Sequence, residues 1–202
     1  MASIYDLKPR FQALLRPLVG TMARVGITAN QVTLAAMLLS LLTGILVLRR
    51  PEQPAVLLLV PAVLFIRMAL NAIDGMLARE RGQQSRLGAV LNELGDVVSD
   101  CGLYLPFAHV PGLDGGLVVT VVLLAVIGEM AGVVAVQISA TRRYDGPMGK
   151  SDRAFAFGLL ALLLGSGLAP GRWTTPYLGV VALLAALTIL NRCRRALASA
   201  TP

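Results

Sequence analysis

Apolar stretches of about 20 residues dominate the chain, and short polar segments separate them. Runs of this length are typical of helices that cross a lipid bilayer. The pattern predicts six such helices, at 31–48, 55–76, 88–108, 117–138, 155–171 and 176–191. The segments between them carry turn-forming residues such as Pro51 and Gly112, and Gly171 marks the end of the fifth span. We therefore expect an all-α integral membrane protein with six transmembrane helices.

The first 30 residues follow a different pattern, in which apolar and basic side chains alternate at helical spacing. Phe11, Leu14 and Leu18, for example, are interleaved with Arg10 and Arg16. This pattern predicts an amphipathic helix on the bilayer surface. We divide the chain into this N-terminal interfacial segment (1–30), a six-helix transmembrane domain (31–195) and a short C-terminal tail (196–202).

Composition agrees with a membrane protein and excludes other classes. The chain of 202 residues is 56% hydrophobic and 14% charged, with a mean hydropathy of +0.73. Such a chain is too apolar for a disordered or ordinary water-soluble protein. Two cysteines and one histidine, without a CxxC motif, exclude a disulfide framework and a common type of zinc site.

The basic residues are distributed unevenly between the two sides of the predicted bundle. Of 18 Lys and Arg, 14 lie at the termini and in the loops after the second and fourth spans. The opposite side holds Arg49, Arg50 and Arg172, and Arg67 lies within a span. By the positive-inside rule both termini and the 79–87 loop are cytoplasmic. The net charge of +7 then reflects membrane orientation, and we expect no nucleic-acid partner.

Ionisable residues inside membrane spans are costly and therefore indicate function. The second and third predicted spans contain such residues together with amides: Arg67, Asn71 and Asp74, then Asn92, Glu93, Asp96 and Asp100. At about 100° per residue, each set occupies one helix face. Because the connecting loop is short, two antiparallel helices would present these faces to each other at one level.

Carboxylates that converge in a low-dielectric site need a cation, and oxygen ligands favour Mg²⁺ or Mn²⁺ over zinc. The residues therefore predict one or two divalent ions. The alternative is a structural network in which Asp74 and Asp96 pair with Arg67 or Arg79.

The segment from Asn71 to Asp96 resembles the signature of the CDP-alcohol phosphotransferases, D-x2-D-G-x2-A-R-x8-G-x3-D-x3-D. The spacing is retained throughout, and six of the eight specified positions agree: Asp74, Gly75, Ala78, Arg79, Gly88 and Asp96. The stretch from Ile27 to Thr33, which includes Asn30, is similar to the family's entry into the first span.

The resemblance implies transfer of a phosphatidyl group from CDP-diacylglycerol to an alcohol, with release of CMP, at a cytoplasmic-facing site in the plasma membrane, as in a bacterial inner membrane. It implies that Asp96 is the catalytic base and that Asp74 and Asp96 bind metal with Asn71 and Asn92. It further implies that CDP-lipid contacts a set of residues on the first three spans: Asn30, Thr33, Gly75, Ala78, Arg79 and Gly88.

The chain departs from the family where aspartate is usual at the first and third acidic positions, here Asn71 and Asn92. An amide oxygen still binds Mg²⁺, but two negative charges are lost. A one-metal site, a weakened site and an inactive homologue remain open. Glu93 and Asp100 lie on the same arc and would restore charge as ligands, whereas the alternative is that they pair with Arg67 or with the neighbours of Glu129.

Two further motifs allow more than one interpretation. Lys150 and Arg153 lie in a basic cytoplasmic loop and would bind the phosphate of a phosphorylated acceptor, although membrane orientation alone explains such a loop. Gly128 and Gly132 form a GxxxG motif, which permits either a homodimer contact or an intramolecular one.

Two other functions compete with the enzyme. A transporter would use the intramembrane carboxylates to relay ions or protons, but it has no need for the Asp74-to-Asp96 spacing. A catalytically impaired homologue would bind CDP-lipid without releasing CMP, as the two asparagines suggest.

The charge asymmetry generates a topology prediction. Reporter fusions after residues 84 and 148 should lie in the cytoplasm, and a fusion after residue 113 should not. Alkaline phosphatase and fluorescent-protein reporters measure this directly, and the opposite pattern would contradict a cytoplasmic active site.

Overall fold

The computed structural model describes residues 4–139 and 141–199, and within these ranges the chain is helical, without strands. The described α-helices are α1 (Ile4–Arg24), α2 (Ala29–Arg49), α3 (Pro54–Glu80), α4 (Arg86–Tyr104), α5 (Gly115–Ser139), α6 (Lys150–Gly165) and α7 (Thr174–Ala198). A short 3₁₀ helix, Leu105–His109, follows α4. The predicted all-α class is therefore confirmed.

Four of the described helices are long and apolar enough to cross a membrane: α2, α3, α5 over Gly115–Ile138, and α7. The remaining two predicted spans correspond to α4 and α6. Helix α4 includes Glu93, Asp96 and Asp100 in 19 residues, and α6 has only 16 residues. Because a bilayer needs about 20 predominantly apolar residues, these two helices do not meet the same criterion. The six-span count stays a prediction.

Several predicted span boundaries differ from the ends of the helices. The third predicted span ran to residue 108, but α4 ends at Tyr104, because Pro106 has no N–H with which to continue an α-helix. The fifth ran to residue 171, but α6 ends at Gly165, and Gly167 adopts a positive φ of 96° just beyond it. Helix α7 continues to Ala198, into the segment assigned to the C-terminal tail, whose residues 200–202 lie outside the described range.

Contacts group the chain into two compact units that interrupt each other in sequence. The first unit comprises the described residues of 1–42 together with 62–99, and the second comprises 43–61 and the described residues of 100–202. The proposed division at residues 30 and 195 follows sequence pattern alone and stays a prediction.

In the first unit, helix α1 packs its apolar face onto α2 and α3. Val19 is fully buried in a cluster with Val32 and Leu77, while Leu14 and Leu18 on other faces of α1 are 76% and 49% exposed. An ion pair of 2.9 Å between Arg16 and Glu80 links α1 to the end of α3. Helix α1 thus forms where the sequence predicts it, and its position on a bilayer surface stays a prediction.

In the second unit, the ends of α2 and α4 touch through backbone atoms. A Cβ on Gly44 would lie only 1.8 Å from the carbonyl oxygen of Gly102. Nearby in the chain, Tyr104 stacks on Phe157 of α6 with ring centroids 4.1 Å apart, and Phe107 meets the same ring edge-on at 5.4 Å. The absence of a side chain at Gly44 therefore permits this helix contact.

The contact predicts that Gly44→Ala destabilises the protein by about 1–3 kcal/mol, because the two backbones must separate to admit a methyl group. Gly179→Ala is the matched control, since nothing lies within 4 Å of a Cβ at that position in α7. The control should be neutral or slightly stabilising because alanine favours helix. Thermal unfolding of the purified proteins in detergent measures both changes, and equal stability of the two variants would contradict the contact.

Candidate active site

The residues of the signature lie in the first unit, on α3 and α4, and Thr33 of α2 lies beside them. Asp74 and Arg79 belong to the last turns of α3, Gly88 and Asp96 belong to α4, and Thr33 belongs to the first turns of α2. Only residues 81–85 connect α3 to α4. The short connection brings the C-terminal end of α3 to the N-terminal end of α4, as the sequence predicts.

Asp74 is the most enclosed acidic group of the signature. It is 4% exposed, and its Oδ2 accepts a hydrogen bond of 2.8 Å from the hydroxyl of Thr33. Burial of a carboxylate is costly without such donors, so Thr33 both stabilises Asp74 and fixes the direction of its oxygens. The resemblance implied that Thr33 contacts CDP-lipid; the structure shows it in contact with the predicted metal ligand.

Asp96 lies beside a buried cation. The Nη2 atom of Arg67 is 3.8 Å from Asp96 Oδ1 and donates a hydrogen bond of 3.3 Å to its backbone oxygen. The side chain of Asp96 is 27% exposed, whereas that of Arg67 is 4% exposed. Asp96 is therefore accessible to a substrate and still under the influence of a positive charge.

The small residues of the signature leave room for specific neighbours. A Cβ on Gly75 would lie 2.8 Å from Nη2 of Arg79, so that guanidinium folds over the bare backbone of its own helix. A Cβ on Gly88 would lie 2.8 Å from Oδ1 of Asn30, which allows α4 to begin against the start of α2. Ala78 packs against the apolar cluster of α1–α3. Contact of these residues with CDP-lipid stays a prediction.

The other predicted ligands are less enclosed. Asn71 and Glu93 are half-buried, and Asn92 is exposed. Over the described residues, no three His, Cys, Asp or Glu side chains are grouped so as to hold a metal ion. Two aspartates supplemented by amide oxygens nevertheless form a donor set of the hard type that Mg²⁺ and Mn²⁺ prefer. Ligation by these residues stays a prediction.

Three of the predicted site residues, Asp100, Lys150 and Arg153, belong to the second unit. The Nη2 atom of Arg153 donates to Asp100 at 3.0 Å and to Glu129 at 2.9 Å, and its side chain is 2% exposed. Arg142 at 2.9 Å and Arg192 at 3.4 Å also approach Glu129. Asp100 therefore pairs with a neighbour of Glu129, which is the alternative to its predicted role as a metal ligand. Lys150, the first residue of α6, is half-buried.

The two glycines of the GxxxG motif both have intramolecular neighbours. The carbonyl of Gly128 accepts a hydrogen bond of 2.5 Å from Arg192, and a Cβ on Gly132 would lie 2.6 Å from the carbonyl oxygen of Arg143. The intramolecular interpretation therefore has direct contacts in its favour, and a homodimer stays a prediction.

Two contacts, one in each unit, were missed by sequence reasoning. The side-chain oxygen of Gln83 accepts a hydrogen bond of 2.7 Å from the backbone N–H of Ala29, which caps the start of α2. Arg192 was counted only as a cytoplasmic charge, although it is 2% exposed. No local pattern marks either residue, because their partners are more than 50 positions away.

Comparison with known proteins identifies the family. The sequence profile of the CDP-alcohol phosphatidyltransferase family matches residues 26–190. The chain is 48% identical over 195 residues to inner membrane protein YnbA of Escherichia coli (strain K12), and the match covers 96% of each protein. It is also 31% identical over 112 residues to archaetidylinositol phosphate synthase of Pyrococcus horikoshii, which covers 55% of this chain and 54% of that protein.

Solved structures share the fold. Phosphatidylinositol phosphate synthase PgsA1 of Mycobacterium tuberculosis with CDP-DAG bound aligns with a TM-score of 0.68 and 23% identity, over 91% of both chains. The same enzyme in complex with manganese and citrate aligns with a TM-score of 0.74 and 21% identity, over 91% of this chain and 88% of that one. The family profile spans most of the chain, and the signature spacing and the helical fold agree with the same family. The protein is therefore a membrane protein of the CDP-alcohol phosphatidyltransferase family.

Proposed function

We propose that the protein transfers a phosphatidyl group from CDP-diacylglycerol to an alcohol acceptor and releases CMP. The observation that carries the proposal is that Thr33 of α2 lies between the signature segments of α3 and α4 in the first unit. Thr33 of α2 bonds Asp74 of α3, and the Cγ2 of the same threonine lies 3.7 Å from where a Cβ of Gly95 in α4 would be. Asp74 and the turn of α4 that carries Asp96 therefore both lie next to the side chain of Thr33.

The reaction assigns a separate task to each of these residues. The hydroxyl oxygen of the acceptor attacks the lipid-linked phosphorus, the phosphorus–oxygen bond to CMP breaks, and the hydroxyl proton passes to Asp96. Arg79, folded over Gly75, donates to phosphate oxygens of the diphosphate. Gly75 and Gly88 keep the backbone approachable, as the family signature implies.

The donor set fits a divalent cation. Asp74 and Asp96, with the amide oxygens of Asn71 and Asn92, would hold Mg²⁺ or Mn²⁺, which would reduce the charge on the diphosphate as CMP leaves. Manganese is present in a structure of PgsA1. Thr33 keeps Asp74 oriented toward this role. Glu93 is a supplementary ligand in the proposal, and Asp100, one turn after Asp96 on α4, would have to exchange its Arg153 partner to join it.

The acceptor is proposed to be a small alcohol, with a phosphorylated alcohol as the leading class. The relatives named archaetidylinositol phosphate synthase and phosphatidylinositol phosphate synthase support that class. Lys150 and Arg153 would supply positive charge for its phosphate. Because Arg153 already binds two carboxylates, Lys150 is the first residue to test for this recognition.

The proposal also includes a location. Relationship to an inner membrane protein supports placement in a bacterial inner membrane. The six-span topology, the amphipathic position of α1, cytoplasmic termini and a cytoplasmic active site follow from the charge distribution. A homodimer is included only as a state to be measured.

A catalytically impaired homologue is the second candidate, because Asn71 and Asn92 replace aspartates. The deciding experiment incubates purified protein with CDP-diacylglycerol, Mg²⁺ or Mn²⁺, and phosphorylated or unphosphorylated alcohols. CMP release and mass spectrometry of the lipid product identify the reaction. Binding of CDP-diacylglycerol without CMP release for any acceptor would favour the impaired homologue, and full turnover in excess EDTA would contradict the metal role.

The two aspartates should respond differently to substitution. Asp74→Asn should weaken divalent-metal binding, because it removes the buried charged ligand. Asp96→Asn should retain CDP-diacylglycerol binding and lower kcat by about 10²–10⁴, as expected for loss of a general base. Metal titration and steady-state kinetics separate the effects. Equal and mild losses in both variants would favour purely structural ion pairing.

The Thr33–Asp74 hydrogen bond should tune the metal site. Thr33→Val keeps the shape of the side chain but removes the donor, and it should lower Mn²⁺ affinity by about 10-fold to 100-fold. Thr33→Ser is the matched control, since it retains the hydroxyl and should stay near wild type. Isothermal titration with Mn²⁺ measures both, and a valine variant with unchanged affinity would show that Asp74 does not need this donor.

A further inference from the structure

The signature region of this chain carries less negative charge than the family pattern. Four aspartates would give four negative charges, but here Asn71 and Asn92 leave only Asp74 and Asp96. Two carboxylates balance one divalent cation and leave a second one with two uncompensated charges, of which Glu93, the supplementary ligand on α4, would offset only one. The described residues also lack any group of three acidic, histidine or cysteine side chains that could hold a metal. The local charge therefore suits one ion better than two.

A permanent positive charge lies at the same place. Arg67 is 3% exposed, and its guanidinium contacts Asp96 through both the carboxylate, at 3.8 Å, and the backbone oxygen, at 3.3 Å. Arginine remains protonated even when buried. A charge buried in an apolar helix bundle is costly unless it interacts with opposite charge. For Arg67 this cost is offset by its contacts with Asp96, the residue that acts as the base in the proposed function.

The position of Arg67 on its helix strengthens this connection. Arg67 precedes Asn71 by one turn of α3, and Asn71 precedes Asp74 by three residues, so all three lie on one face. The asparagine thus stands between an arginine and the buried aspartate. An aspartate at position 71 would lie one turn from the guanidinium and would be expected to pair with it rather than with a second metal ion.

We propose that this protein holds a single divalent cation and that Arg67 supplies the second positive charge beside Asp96. The inference rests on the proposed function, because it assigns the cations of that same site. Arg67 acts through Asp96 and is thus a positioning residue: its contacts with the carboxylate and the backbone oxygen of Asp96 hold that side chain in place for transfer of the hydroxyl proton. The two asparagines are then an adaptation to one ion rather than a sign of inactivity.

The number of bound ions gives a direct test that does not depend on turnover. Purified protein is titrated with Mn²⁺ alone, and electron paramagnetic resonance counts bound ions per chain. We expect one ion, with the spectrum of an isolated Mn²⁺. Two ions per chain, or the spectrum of an exchange-coupled pair, would overturn the inference, and so would the absence of any bound ion.

Charge variants test the role of Arg67. Arg67→Gln should bind its Mn²⁺ about 10-fold more tightly, because a nearby positive charge is gone, yet turn over more slowly. Arg67→Lys is the control that retains the charge and should keep wild-type metal affinity. A merely structural arginine would leave the metal affinity of both variants unchanged, which would overturn the assignment.

A charge-restored protein that keeps Arg67 completes the test, and it remains informative if Arg67→Gln does not fold. Asn71→Asp/Asn92→Asp should still bind one ion while Arg67 is present, and two bound ions in this double variant would overturn the inference. The same double variant with Arg67→Gln should bind two, because four carboxylates then face no resident cation. A triple variant that still binds one ion would overturn the inference.

The inference and the proposed function can fail separately. CMP release is measured on the same preparations. Two bound ions with CMP release would overturn the inference and leave the function intact. One bound ion without CMP release for any acceptor would support the charge assignment and count against the proposed function.

Discussion

The neutralisation of buried charge is the constraint on which the architecture depends. An apolar chain that carries acidic groups within its helices must supply a donor for each one, because water is excluded there. Asp74 has the hydroxyl of Thr33, Asp100 has Arg153, and Glu129 has three guanidinium groups. These contacts join helices distant in sequence, so the polar residues also determine which helix faces meet.

The two units meet this constraint in different ways. In the first unit a neutral hydroxyl bonds Asp74, and Asp96 is partly exposed next to Arg67. This arrangement is compatible with the cation and substrate roles proposed for the two carboxylates. In the second unit, Arg153 binds both Asp100 and Glu129 and is itself almost inaccessible. Because each charge in such a pair is already neutralised, less charge is available for a ligand, and removal of one partner would leave a costly unpaired charge.

Small residues play a comparable double role. Gly88 and Gly75 belong to the family signature, where they are expected to admit the substrate, and in this structure each also has a defined polar neighbour, Asn30 and Arg79 respectively. Gly44 and Gly132 lie outside the signature and allow backbone contacts that a side chain would prevent. Substrate access and close helix packing therefore both require a position without a side chain. A glycine in the sequence does not by itself show which of the two requirements applies.

The sequence alone determined the helical class, the positions of the long apolar helices and the spacing of Asp74, Gly75, Ala78, Arg79, Gly88 and Asp96, because these depend on local periodicity and on residues within one helical hairpin. Tertiary structure decided the partners. Thr33 meets Asp74 across 41 positions, and Arg153 meets Asp100 across 53. Such pairings depend on how helices pack, and no local pattern encodes them. The end of α4 at Tyr104 follows from the missing N–H of Pro106, whereas the burial of Arg67 against Asp96 required the packed helices.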